Sequence, residues 1–370
     1  MKQCLIAKIT AVLHQVPLVV HLARKKFIAQ FVIALINSRK VQFNAVAQHL
    51  NDAAKTASNE TRIEDFFRET SLNYLALATL LLSFLPKKGK CRLCIDRTEW
   101  NFGRCEVNIL LISIGCGDVQ LPLYWELLDN RSGNSNAGNR MALVELCLAV
   151  VGKERIGVLI GDREFVGHNW FTYLKERGIN FVMRVPKHHL VTMQHGRSQA
   201  ITTLSFPENQ PVLLENVQVD GVWGNVWVKP LANGEYLFLF GTVTVAHMGQ
   251  IYRKRWTIEV CFQHLKRRGF DLASTHLTSA EKLKKLIGFC SLAYGLCLSM
   301  GIYLHRKVQV IKRKKHGYKK ASFSRHGLNF WQQLCRPANK RSVAIAKQLD
   351  ILERWIRRQL SYYQALKIVG

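Results

Sequence analysis

Apolar clusters at helical spacing, parted by short polar breaks, run through "FIAQFVIALINSRKVQFNAVAQHLNDAAKTASNETRIEDFFRE". That periodicity predicts helices across residues 1–86 and suits either a helix-turn-helix-like module or a plain helical bundle. "FLPKKGK" closes this part, and the texture then changes. "CRLCID", "VNILLISIGCG" and "QLPLYWELL" are short apolar runs with turn signals between them, which predicts three consecutive strands. "NRMALVELCLAVVG" reads as a helix, "RIGVLIGD" as a buried strand, "HNWFTYLKERG" as a helix and "INFVMRVPK" as another strand. Three strands followed by alternating helix and strand predict an α/β fold with a mixed sheet and flanking helices. Residues 190–246 interrupt it with short β-like pieces ("PVLLENVQV", "GVWGNVWVK", "YLFLFGTVTV"), read as an insertion. Helices resume near residue 248.

One of them, "LIGFCSLAYGLCLSMGIYL" at 286–304, carries no charge and is flanked by basic residues. It reaches the ~20 residues needed to span a bilayer. Its apolar character is only moderate, with Ser, Gly and Tyr spread along it, which favours a core helix that is buried all round. The N-terminal apolar stretches are broken by His14, Pro17 and the Arg24-Lys25-Lys26 cluster, so no signal peptide is expected.

Composition adds a partner. The 370 residues include 53 Lys plus Arg against 25 Asp plus Glu, a net charge of +28, yet 48% are hydrophobic. Such a chain folds and still carries excess positive charge. Nucleic acid is the polyanion that best answers it, ahead of an anionic membrane surface. The ten cysteines are scattered through predicted elements, which fits a reducing compartment. Cys91-x-x-Cys94 with Cys105 and Cys116 raises a zinc site, but the second close pair such a site needs is missing.

The acids are few and pointedly placed. Asp96 ends the apolar run "RLCID" and Asp162 ends "RIGVLIGD". A carboxylate at the end of a buried strand needs a cation or hydrogen-bond donors; the plainer reading of either alone is a turn or capping aspartate. The third acid lies in "YRKRWTIEVCFQHLK", where Glu259 is flanked by Arg253, Lys254, Arg255 and Lys266. On a continuous helix Tyr252, Arg255, Glu259 and Lys266 fall within about 60° of one another, with Trp256, Ile258, Val260, Phe262 and Leu265 on the other, buried-looking sides. Three carboxylates from distant segments of a basic chain suit Mg²⁺, a hard cation that takes oxygen ligands. Two such ions about 4 Å apart can drive in-line phosphodiester displacement.

With those residues in view, the chain resembles the DDE transposases of the fourth insertion-sequence family. Tyr252, two residues, Arg255, three residues, Glu259, six residues and Lys266 match the family's Y-R-E-K signature. "DRT" at 96–98 resembles its first-aspartate motif, "DREF" at 162–165 its second, and "FVMRV" the strand that follows. The resemblance runs from about residue 27 into the basic C-terminal region. It implies a ribonuclease H-like core, with Asp96, Asp162 and Glu259 as catalytic residues and metal ligands for two Mg²⁺ ions, Mn²⁺ being able to substitute. It implies DNA contacts for Tyr252, Arg255, Lys266, Arg184 and Arg163, with Arg163 and Glu164 also supporting the second aspartate. Trp223 and Trp227, in the β-rich insertion, are the candidates for stacking a flipped base; their plainer reading is strand packing on one face. Glu60, Glu64 and Asp65 make the segment near 50–65 less basic than end recognition by that region needs.

The implied organisation is a helical DNA-binding region over 1–86, a catalytic domain over 87–306 interrupted at 190–246, and a basic helical region over 307–370 for DNA binding and synapsis. The implied function is cut-and-paste transposition of an insertion sequence. The implied partners are double-stranded DNA (terminal inverted repeats and target) and a second copy in a paired-end homodimer, with no membrane, in the bacterial cytoplasm at the nucleoid. A related metal-dependent nuclease and a catalytically silent end-binding repressor are the competing readings.

Overall fold

The computed structural model describes residues 2–86, 89–102, 105–128, 133–194, 196–207, 210–315, 317–335 and 342–366. The chain divides into two compact units. One comprises Met1–Lys88, Trp100–Val107 and Cys261–Gly370, and the other Gly89–Glu99 and Asn108–Val260.

The first unit is mainly helical. It begins with α1 (Lys2–Leu13), α2 (Leu22–Ser38), α3 (Phe43–Ala47), α4 (Thr56–Glu69) and α5 (Tyr74–Leu82). The Asn73 side chain caps α5 by accepting from the Ala76 amide. Helix α2 is buried along most of its length and Phe31 packs against Phe67 and, from later in the chain, Phe289, each at 5.4 Å between ring centroids.

The second unit is built on a sheet. Strands β1 (Cys91–Phe102), β2 (Cys105–Cys116) and β3 (Val119–Leu127) follow one another, then α6 (Ala137–Val151), β4 (Ile156–Gly161), α7 (His168–Glu176) and β5 (Phe181–Arg184). The crossover helices join parallel pairs, β1 with β4 and β4 with β5, within the mixed sheet. Strand β1 runs further than "RLCID" suggests, so Asp96 lies within it and not at its end.

The β-rich insertion continues the sheet. Strands β6 (Leu190–Thr192), β7 (Gln199–Ala200), β8 (Val212–Val219), β9 (Val222–Pro230) and β10 (Tyr236–Gly241) add to β5, through an antiparallel β10–β5 pair. Among the described residues this gives ten strands in the order β3-β2-β1-β4-β5-β10-β9-β8-β6-β7. Gly241 permits the join: a Cβ there would stand 2.2 Å from the Phe181 carbonyl oxygen. Val182, Leu239 and Met248 form an apolar cluster at this junction, with Trp227 and Tyr252 packed against it.

Helices α8 (Val245–Arg253) and α9 (Trp256–Gln263) follow, then a π-helical turn at His264–Arg268. The chain returns to the first unit from Cys261, and α10 (Ala280–Lys307), α11 (Phe323–Cys335) and α12 (Ser342–Leu366) follow there. By length and composition α10 could cross a membrane, but 89% of its most apolar stretch is buried inside the fold. It is a core helix, as its moderate apolarity suggested. Gly301 and Gly327 let α10 and α11 touch backbone to backbone, and the Trp331 indole donates to the Leu296 carbonyl.

Candidate active site

Asp96 and Asp162 are brought together by strand register. Cys94 on β1 pairs with Ile160 on β4, and each aspartate lies two residues further along its own strand direction. Gly161 matters to this arrangement. A Cβ there would meet the Met183 sulfur at 2.6 Å and the Phe165 Cβ at 3.0 Å, so a larger residue would displace the turn that starts at Asp162.

Each aspartate has one oxygen fixed by the amide of the next residue. Arg97 N donates to Asp96 Oδ1 at 2.8 Å and Arg163 N to Asp162 Oδ1 at 2.8 Å. The Tyr252 hydroxyl also donates to Asp162 Oδ1, at 3.2 Å, and Arg184 Nη1 stands 3.9 Å from it. The other oxygens turn toward Arg255. Its Nη1 lies 3.2 Å from Asp96 Oδ2 and 3.8 Å from Asp162 Oδ2, while Nη2 lies 2.5 Å from Glu259 Oε1. Three carboxylates from β1, the end of β4 and α9 therefore converge on one guanidinium.

The stripe that presents Tyr252, Arg255 and Glu259 is not one continuous helix. Helix α8 ends at Arg253, and the i→i+3 bonds Arg255 N→Tyr252 O and Ile258 N→Arg255 O tighten the backbone before α9. The Thr257 hydroxyl, which bonds back to Lys254 O at 2.7 Å, fits that tightening. Lys266 lies beyond a second irregularity, on the π-helical turn of the helical unit, with its ammonium 5.3 Å from the centre of the Trp100 ring.

Electrostatics follow the burial. Desolvation pushes the Asp96 carboxyl up to about 6, with Arg255 pulling it back and Asp162 and Glu259 adding to the rise. Burial, then the Asp162 charge, raises the Tyr252 phenol well above its usual range, so it acts as a hydrogen-bond donor.

Glu164 lies in the turn that follows Asp162. It accepts from Arg97 Nε at 3.0 Å and from the Ser135 amide and hydroxyl at 3.1 and 3.0 Å. Arg97 in turn reaches Glu99 and Asn108. The Glu of "DREF" thus ties the turn after Asp162 to the residue after Asp96, a link invisible to either motif alone.

Beside the two aspartates opens a recess of about 1,020 Å³ whose lining includes Arg163, Arg184, Lys187, His188, His189 and Tyr236. Arg163 and Arg184 were expected here. Lys187, His188 and His189 were missed, although "VPKHH" directly after β5 continues the basic run beyond the strand end.

The tryptophans part company. Trp223 is 42% exposed, whereas Trp227 is half-buried, with Gly249 so close that a Cβ there would be 2.6 Å from its ring. Trp256, expected on a buried face, is 59% exposed beside Arg255; at 100° per residue it falls only about 40° from Tyr252, next to the polar stripe. As for zinc, Cys91 and Cys116 lie 3.3 Å apart, sulfur to sulfur, and Cys94 is buried. The Cys105 side chain lies outside the described residues. Among the described residues no three His, Cys, Asp or Glu side chains are grouped closely enough to hold a metal ion. The three carboxylates stand around the Arg255 guanidinium.

Residues 87–296 match the family described as the transposase DDE domain. The match spans more than half of the chain, and the chain belongs to that family. Its strand order β3-β2-β1-β4-β5 is that of a ribonuclease H-like core. Among solved structures, the chain is similar to a piggyBac transposase synaptic complex with hairpin DNA, determined by cryo-EM. Identity is 12%, coverage is 97% of this chain and 82% of that one, and the TM-score is 0.46. No curated protein matches the sequence.

Proposed function

We propose that this transposase moves an insertion sequence by cut-and-paste, in the manner of the fourth insertion-sequence family that its Y-R-E-K spacing resembles. The observation that carries the reading is the convergence of Asp96, Asp162 and Glu259 from three separate elements. The chemistry of the donor set suits a divalent cation, since all three groups offer hard carboxylate oxygens, and in the present spacing those oxygens engage another positive group, the Arg255 guanidinium. Asp96, Asp162 and Glu259 would hold Mg²⁺, or Mn²⁺ in its place, which would activate the attacking hydroxyl and stabilise the leaving oxygen of the phosphodiester.

The remaining residues act on the DNA. Tyr252 orients Asp162 through its hydroxyl. Arg163, Arg184 and Lys187 offer the recess wall to backbone phosphates, and Arg255 and Lys266 serve the phosphates next to the cleaved end. No protein nucleophile is required, since water opens the first strand and the freed 3′-hydroxyl attacks next. Two copies on paired ends would couple cleavage at one end to the presence of the other.

The test uses DNA carrying the terminal repeats that flank the gene. The wild-type protein with Mg²⁺ is expected to nick the element end and to give a product joined to target. Asp96→Asn is expected to bind the same end and do neither. Cleavage by the wild type without any joined product would replace transposase with nuclease, and wild-type cleavage by Asp96→Asn would overturn the assignment of the site.

A further inference from the structure

Among the described residues, Arg255 is the cation shared by all three carboxylates, and it engages the oxygens that a metal ion would need. Its side chain is 17% exposed and contacts Asp96 Oδ2, Asp162 Oδ2 and Glu259 Oε1. A guanidinium has donors and no lone pair, so it cannot join a metal's ligand shell; it competes for the same oxygens. The two aspartates cannot readily turn other oxygens to the ion, because Asp96 Oδ1 and Asp162 Oδ1 are held by the amides of Arg97 and Arg163. The exchange therefore takes place at the oxygens that Arg255 engages.

We infer that Arg255 is the internal counter-ion of the carboxylate site, displaced when a divalent cation enters and captured by a DNA phosphate once displaced. The inference rests on the reading of the three carboxylates as a metal site. Without an ion or DNA, the guanidinium balances part of three like charges, whose mutual repulsion would otherwise push them apart. When an ion binds, Arg255 loses its partners and a backbone phosphate offers it a charge-assisted, bidentate replacement. Each event lowers the cost of the other. By linkage, DNA then tightens metal binding by the same factor as metal tightens DNA binding. Such a lock disfavours ion loading until DNA is in place.

Mn²⁺ titrated calorimetrically into the full-length protein tests this without any turnover. In the absence of DNA, Arg255→Gln is expected to bind Mn²⁺ about tenfold more tightly than the wild type. Arg255→Lys, whose single ammonium cannot span three carboxylates, is expected to fall between them. A saturating duplex oligonucleotide should tighten Mn²⁺ binding to the wild type severalfold more than to Arg255→Gln. Glu259→Gln serves as the control and should weaken binding. If Glu259→Gln weakens binding while neither Arg255 variant tightens it, the counter-ion role is overturned and the metal site stands. If Glu259→Gln leaves Mn²⁺ binding unchanged, the metal reading of the carboxylates fails, and this inference with it. Should Arg255→Gln not fold, Arg255→Lys decides by the same criterion.

Discussion

Asp96 holds its charge where burial favours a proton. Its folded carboxyl titrates near 6, above the ~3.9 of an unfolded aspartate. The folded state therefore binds that proton more tightly than the unfolded state. The stability this group lends is full below about pH 4 and is lost as pH rises through about 6. At neutral pH an uncharged isostere should be better tolerated, so Asp96→Asn is expected to stabilise the sheet unit by about 1–3 kcal/mol while losing cleavage. Thermal melting at pH 7 checks it, and a clear loss of stability would mean that the Arg255 ion pair outweighs the desolvation. His264 has the opposite sign. Burial, then Arg325 and Arg39, lowers its imidazole to about 3, and its Nε2 has no hydrogen-bond partner. Its contribution is full above about pH 6.5 and drains away as pH falls toward 3. His264→Gln should therefore flatten the acid limb of the melting-temperature profile. An unchanged limb would place the acid sensitivity elsewhere.

Elements show how far the residue pattern could be read. Three strands, then helix–strand–helix–strand, were legible because helical spacing gives way after "FLPKKGK" to short apolar runs parted by turn signals. The same periodicity could not show that 190–246 continues the main sheet, since pairing of β10 with β5 is a long-range contact that no local pattern encodes. Asp96, Asp162 and Glu259 were legible by placement and spacing. The break between α8 and α9 was not: it arises from i→i+3 bonding around Arg255, which the residue pattern does not encode. The two tryptophans of β9 give an element-scale prediction. Trp227→Ala should cost about 2–3 kcal/mol of stability, because the ring packs against Gly249 and the Val182–Leu239–Met248 cluster. Trp223→Ala should stay within about 0.5 kcal/mol. Chemical denaturation distinguishes them, and equal losses would contradict the placement of Trp227.

At the scale of the molecule, excess positive charge and a packed helical core share the C-terminal region. Helix α11 lies against α10 through Gly301 and Gly327, so deleting 307–370 would strip the covering from a core helix. A charge-only change is the sounder probe of that region. Lys312, Lys314 and Lys315 are exposed. Replacing all three with Gln is expected to leave the melting temperature in place and to lower the slope of log affinity for duplex DNA against log salt by roughly 2–3 units. If the loss also abolishes pairing of two ends, seen by gel shift with fragments of two lengths, the region serves synapsis. If single-end binding and its salt slope are both unchanged, the basic segment faces something other than DNA.

The central claim is that Asp96 ligates a metal ion that cuts DNA, and ligand softness tests it most directly. Asp96→Cys puts a thiolate where the carboxylate stood; Mg²⁺ binds sulfur poorly, and Mn²⁺ accepts it better. Cleavage of element-end DNA by this variant is predicted to be lost in Mg²⁺ and to return in part in Mn²⁺, while Asp96→Ala stays inactive in both. A folded Asp96→Cys protein equally inactive with either ion, or active with Mg²⁺ at the wild-type rate, would contradict the account.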